Sequence, residues 1–241
     1  MRLPSLVETV LLLCIACQSS ATLLGEERPS PPQKASSLVT SSLVTIREAA
    51  KRGDSGAQCE LGLAYLVMRD YVWAAIWFRR AARQGDVYAQ YNLGLVYDLG
   101  EGVSRDEALA AIWYRKAARQ GLAEAQARLG WMYHQGHGVP QNETRAVAWW
   151  RMAARQGVAE AQYNLGTLYD QGHGVPQDNA RAYFWYDLAA SSSRVGNLKQ
   201  EDVDTLRDEV AKRLTPAELF QAQERARKWF ESHAPQPPDM P

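Results

Sequence analysis

Along most of the chain, apolar residues return with helical spacing. Ala89, Leu93, Val96 and Tyr97 stand at i, i+4, i+7 and i+8, on one face of an α-helix. The pattern itself recurs. Gly85, Gly121 and Gly157 lie 36 residues apart, and each is followed by Ala-Gln, Leu-Gly and Tyr. These are Ala89-Gln90, Leu93-Gly94 and Tyr97, then Ala125-Gln126, Leu129-Gly130 and Tyr133, then Ala161-Gln162, Leu165-Gly166 and Tyr169. An earlier unit from Gly53 has Ala57-Gln58, Leu61-Gly62 and Tyr65, with a loop four residues shorter. Each unit has a second helical half, such as Ala110, Trp113, Tyr114, Ala117 and Ala118. Its counterparts run from Ala74 to Ala82, from Ala146 to Ala154 and from Ala182 to Ala190, with Trp77, Trp149 and Trp185 at the Trp113 position.

The connections carry their own signals. Gly100-x-Gly102-Val103-x-x-Asp106 returns as Gly136-x-Gly138-Val139-x-x-Asn142 and Gly172-x-Gly174-Val175-x-x-Asp178. Glycine can take the positive φ that ends a helix, and Asp or Asn can cap the next. Gly94, Gly130 and Gly166 fall inside helices, where glycine costs roughly 1 kcal/mol against alanine. Their recurrence predicts that two helix backbones approach there with no room for a Cβ. Trp149, which recurs in every unit, is expected to pack between helices.

These motifs resemble the Sel-one-like repeat (SLR) family, a relative of the tetratricopeptide repeats, over four units from Gly53 to Ser192. The first unit departs from the pattern, with Met68-Arg69-Asp70 in place of the Gly-x-Gly-Val loop. The resemblance implies an all-α fold: an α/α solenoid of TPR-like helix-turn-helix repeats, used as a non-enzymatic protein-binding scaffold and in bacteria often exported. Some cysteine-rich relatives are linked to penicillin binding or β-lactamase activity through repeats with paired cysteines. Here the repeats hold only Cys59, and that implication does not transfer.

The flanks complete the organisation. Residues 1–21 read as a signal peptide: Arg2 precedes an apolar run from Val10 to Cys17, and Ser19 and Ala21 suit cleavage after Ala21. Lipidation at Cys17 is the alternative, giving an envelope-anchored lipoprotein rather than a periplasmic or secreted one. The run is too short to span a bilayer. Residues 22–37, with Pro29, Pro31 and Pro32, read as a disordered linker, and 38–52 as an N-terminal capping half-repeat. Residues 193–234 read as C-terminal capping helices. Val203, Leu206, Val210 and Leu214 mark one helix. Thr215, Pro216 and Glu218 begin the next with a capping box, flanked by a Leu214–Leu219 staple. Residues 235–241 read as a disordered tail.

Charge adds little. With 27 basic and 27 acidic residues, nothing draws the chain to nucleic acid or anionic membrane. Gly53-Asp54-Ser55-Gly56 looks like a serine-protease nucleophile segment, but its glycine is the repeat-start glycine and no β-barrel pattern accompanies it. His134, His137 and His173 invite a metal reading, yet His137 and His173 fall in successive loops at least about 8–10 Å apart, His134 with His137 has no apparent third ligand, and the three are expected to be exposed loop residues. Asn142-Glu143-Thr144 is a formal glycosylation sequon or simply a helix cap. The sequence calls for no cofactor and no metal.

The informative residues are those that differ between units. Tyr88, Tyr91, Asn92, Leu95 and Leu99 share the first-helix face opposite the repeated Ala, Leu and Tyr. Their counterparts are Glu124, Ala127, Arg128, Trp131 and Gln135, then Glu160, Tyr163, Asn164, Thr167 and Gln171. By analogy to tetratricopeptide repeats this face lines the concave groove, where mixed aromatic, amide and charged groups suit a peptide segment. Trp131 and Arg128, one turn apart, are the expected anchors. The rival readings are a cell-envelope hydrolase, for which the sequence offers no nucleophile–base pair, and an endoplasmic-reticulum quality-control adaptor if the source is eukaryotic.

Overall fold

The structure, a computed structural model, describes residues 43–192 and 199–233. The signal segment, the linker, residues 38–42 of the half-repeat, residues 193–198 and the tail lie outside them. Among the described residues there are eleven helices and no strand. They are α1 (43–51), α2 (Ser55–Val67), α3 (Tyr71–Arg83), α4 (Val87–Leu99), α5 (Glu107–Arg119), α6 (Ala123–Gln135), α7 (Glu143–Arg155), α8 (Ala159–Gln171), α9 (Asn179–Ala190), α10 (Gln200–Ala211) and α11 (Pro216–His233). Two compact units divide them, one up to Ala117 and one from Ala118.

Helix starts follow from side-chain acceptors. The carboxylates of Asp54, Asp70 and Asp86 accept from the backbone N–H groups of Ala57, Trp73 and Ala89, opening α2, α3 and α4. Asp106, Asn142 and Asp178 do the same for the second helix of the later repeats. Helices α6 and α8 start after Leu122 and Val158 with no side-chain cap. Gly100, Gly136 and Gly172 end α4, α6 and α8 in the left-handed region, at φ of 73°, 76° and 73°.

In the first unit, α2 packs on α3 and α3 on α4. Ala74, Ala75, Phe78, Ala81, Leu93 and Val96 form its core, and Trp113 of α5 packs against that cluster. Ala50 of α1 closes on Leu61 and Trp77, as a half-repeat does. In the second unit α6, α7, α8 and α9 pack in the same sequential way, and α10 and α11 both pack on α9. This order of helix pairs is that of an α/α solenoid with a C-terminal helical cap. Alanines recur where helices meet: Ala117, Ala146, Ala153, Ala182 and Ala189 are fully buried.

The mid-helix glycines have a different neighbour from the one expected. A Cβ on Gly130 would lie 2.5 Å from Cδ1 of Trp150; on Gly94 it would meet the Tyr114 ring at 2.7 Å, and on Gly166 the Tyr186 ring at 2.6 Å. The close approach is of a helix backbone to an aromatic ring, not to another backbone. Trp149 is only half-buried, whereas its chain neighbour Trp150 is among the most buried side chains. Of the two tryptophans, Trp150 is the packing residue, because it faces Gly130.

The cap follows the sequence in most details. Thr215 N–H donates to Glu218 Oε2 at 2.9 Å, and Glu218 N–H donates to Thr215 Oγ at 3.3 Å. The Thr215 N–H, together with the Thr215 hydroxyl donating to the same Oε2 at 2.7 Å, holds the Glu218 carboxyl below its ordinary range. Val203 and Val210 are fully buried, but α10 stops at Ala211 and leaves Leu214 in the turn. Arg207 ties α10 to α9 through Asp187, with Asp204 on its own helix 3.0 Å away. Burial raises the Asp187 carboxyl, which Arg207 opposes.

Candidate functional site

The repeated residues build a frame. Gln58, Gln90, Gln126 and Gln162 are buried, and each donates its side-chain amide to the carbonyl eight residues earlier: Ala50, Ala82, Ala118 and Ala154. Those carbonyls belong to the last turn of the preceding helix, where intrahelical partners run out. A second glutamine extends the chain: Gln84 donates to Gln58 Oε1 at 2.7 Å and Gln156 to Gln126 Oε1 at 2.8 Å. The recurring tyrosine is also tied. Arg47, Arg79 and Arg151 donate to the hydroxyls of Tyr65, Tyr97 and Tyr169, at 3.0, 2.9 and 2.8 Å. The Ala-Gln and Tyr signatures were legible as a pattern; that they join one helix pair to the next needed the geometry.

On this frame the first helix of each pair turns most of its varying residues outward, but Ala127, expected on that face, is buried under Trp150. In the first unit, Tyr88 of α4 is 61% exposed and Leu99 is exposed near the far end. Asn92 donates to Tyr88 O at 2.9 Å, Leu95 is half-buried, and the Tyr91 ring lies 5.7 Å from that of Tyr114. In the second unit, Glu124, Arg128 and Gln135 of α6 are exposed, and half-buried Trp131 lies between them in sequence. Helix α8 touches α6 and presents exposed Glu160 with half-buried Tyr163, Asn164 and Thr167. The second unit therefore brings eight predicted residues onto two neighbouring helices, and the first unit holds the other four on α4.

Trp131 is braced rather than buried. His137, on the loop after α6, sets its ring edge-on to the indole at 4.7 Å. His134 lies on the last turn of α6, with Nδ1 2.9 Å from Glu143 Oε2 and its ring 5.4 Å from Trp150. Both histidines are half-buried, so the expectation of exposed loop residues holds only for His173. Among the described residues, no group of three or more His, Cys, Asp or Glu could hold a metal ion.

Three predicted residues are partly structural. Tyr163 packs 5.9 Å from Tyr186, as Tyr91 does on Tyr114. Thr167 Oγ donates to Tyr163 O at 3.2 Å and accepts from the Tyr186 hydroxyl at 3.1 Å. Other sequence candidates have plain roles. Asp54 of the Gly-Asp-Ser-Gly segment caps α2, and Asn142 of the sequon caps α7 by accepting from Arg145 N–H at 2.9 Å. Cys59 is buried, and burial followed by Asp86 pushes its thiol up to about 12.

A repeated helix pair with a tied glutamine, a tied tyrosine and a ring-facing glycine defines an α/α repeat protein. The family description "Sel1 repeat" matches residues 55–86, 87–122, 123–158 and 159–193, and the chain belongs to that family. Its members are typically protein-interaction scaffolds and generally non-catalytic. Among solved structures, the chain is similar to a protective antigen of uropathogenic Escherichia coli strains displaying an SLR fold. That likeness has 44% identity over 63% of this chain and 33% of the antigen, with a TM-score of 0.61. The chain thus spans a third of the antigen's length. It is also similar to a Sel1 repeat protein from Oxalobacter formigenes, at 27% identity and a TM-score of 0.65, over 92% of this chain and 99% of the other. No curated protein matches the chain.

Proposed function

We propose that this protein is a non-enzymatic scaffold that binds an extended segment of a partner protein on its first-helix faces, chiefly that of α6 and α8. One observation carries the reading. Trp131 stands between exposed Arg128 and Gln135, held edge-on by His137 but not buried. An aromatic group fixed before binding loses little side-chain entropy on contact, and Trp and Arg are enriched where interfaces draw most of their energy. Glu124 on the same helix, and Glu160 and Asn164 on neighbouring α8, add acceptors and an amide suited to a peptide backbone and its polar side chains.

The test is selection of peptides from a display library against the purified chain, followed by affinity measurement. Arg128→Ala and Trp131→Ala should each weaken the selected peptide about tenfold or more while leaving helicity unchanged. Loss of helicity in Trp131→Ala, or unchanged affinity in both variants, would reject this face. Export is part of the same proposal. The apolar run before Ala21 supports a mature chain starting near Thr22, or at a lipidated Cys17. No helix among the described residues is long and apolar enough to cross a membrane. Mass spectrometry of the native N-terminus decides: a cytoplasmic protein with intact Met1 would reject export.

A further inference from the structure

The second helices of the repeats have an outer face whose fate differs along the chain. On α9 that face is covered. Helix α11 lies on it, with Gln223 donating to the Tyr183 hydroxyl at 3.2 Å and the Arg225 guanidinium 5.2 Å over the Phe184 ring. Ala222 and Ala226, four residues apart, are buried and let α11 come close. Phe184 and Leu188 are 8% and 1% exposed. Their equivalents by the 36-residue repeat are Ile112 and Lys116 on α5, and Ile76 and Arg80 on α3.

In the first unit this face is more open, although Ile76 is half-buried and the Trp73 ring stacks 6.1 Å from that of Tyr65 on α2. Ile112 is 44% exposed, Val72 55% and Trp73 46%, and Leu109 is exposed beside them. The two helices belong together. Trp113 of α5 packs in the cluster built on Ala75 and Phe78 of α3, and Gly102, before α5, lies so close to Tyr71 and Val72 that a Cβ would overlap their backbone. The polar groups on this face are basic: Arg80 lies 4.6 Å over Trp77, and Lys116 lies 4.0 Å over Trp113. Helix α3 holds Arg79, Arg80 and Arg83 with no acidic residue.

We propose that the outer face of α3 and α5 docks an acidic amphipathic helix of a partner protein, seated as α11 is seated on α9. The apolar stripe calls for a helix with an apolar face and small residues four apart, and the basic groups call for carboxylates along its flank. This surface is separate from the first-helix face, and either can hold without the other.

Two labelled 18-residue peptides test it. Both keep the stripe of Leu219, Ala222, Ala226 and Trp229, with glutamate at the polar positions of one and lysine at those of the other. Fluorescence anisotropy with the full chain should show the glutamate peptide binding at least about tenfold more tightly. Val72→Ser and Ile112→Ser should each weaken it severalfold with unchanged melting, since both side chains are exposed. The double variant Arg80→Glu, Lys116→Glu should reverse the preference towards the lysine peptide, and Trp131→Ala should change nothing. No binding, equal binding of both peptides, or insensitivity to these outer-face variants would overturn the proposal. So would a dimer of the wild-type chain, seen by sedimentation, that Ile112→Ser dissociates, because the occupant would then be a second copy.

Discussion

In the first unit Tyr91 faces Tyr114; in the second the equivalent residues are Ala127 and Trp150. A small residue under a larger ring replaces two facing tyrosines. Trp150 takes space that a tyrosine would fill, and its indole N–H donates to Ala127 O at 3.1 Å. The third pair, Tyr163 with Tyr186, returns to the first arrangement. Variation between repeats therefore has two causes. At Tyr91, Ala127 and Tyr163 it compensates for a change on the facing helix. At Tyr88, Glu124 and Glu160, and at Asn92, Arg128 and Asn164, the facing ring offers no such explanation, and these positions carry the case for a binding surface.

The largest expected effect breaks the frame under that comparison. Trp150→Ala empties a buried indole site and should cost about 3–5 kcal/mol in chemical denaturation. Trp149→Ala, one residue away but half-buried, should cost only about 1–2 kcal/mol. Equal costs would mean that facing Gly130 is not what distinguishes them.

Gly130→Leu forces a side chain into the Trp150 ring and should destabilise by about 3 kcal/mol, the upper end of overpacking effects. An unchanged melting curve would contradict the 2.5 Å approach.

Compensation itself is tested more finely. Ala127→Tyr should cost about 1–2 kcal/mol because Trp150 already fills the space. Combined with Trp150→Tyr, which recreates the pair of the other repeats, it should cost less than the two single changes added together. Strict additivity would separate the two positions and return Ala127 to the variable surface.

The fold was legible because it is written four times. A recurring Gly, Ala-Gln, Leu-Gly and Tyr fixes phase as well as helix type, and Asp106, Asn142 and Asp178 mark helix starts by a bond that needs only neighbours in sequence. What the sequence hid was rotation. Trp149 and Trp150 are both large and adjacent, with related residues at the same places in every unit, and only their angles about α7 decide which meets Gly130. Exposure was hidden for a similar reason. Trp131 varies between units, like Tyr91, yet His137 braces one and the ring of Tyr114 packs on the other. The outer face of α3 and α5 was invisible as a surface until α11 showed what covers Phe184, the equivalent of Ile112.

The central claim is that the first-helix face of α6 and α8 binds the partner segment. The most direct measurement is amide hydrogen exchange of the chain with and without a selected peptide. The account predicts slowed exchange centred on Arg128–Gln135 of α6 and Tyr163–Thr167 of α8, with the α7 amides around Trp150 unchanged. Protection confined to α3 and α5, or to the C-terminal helices, would contradict it.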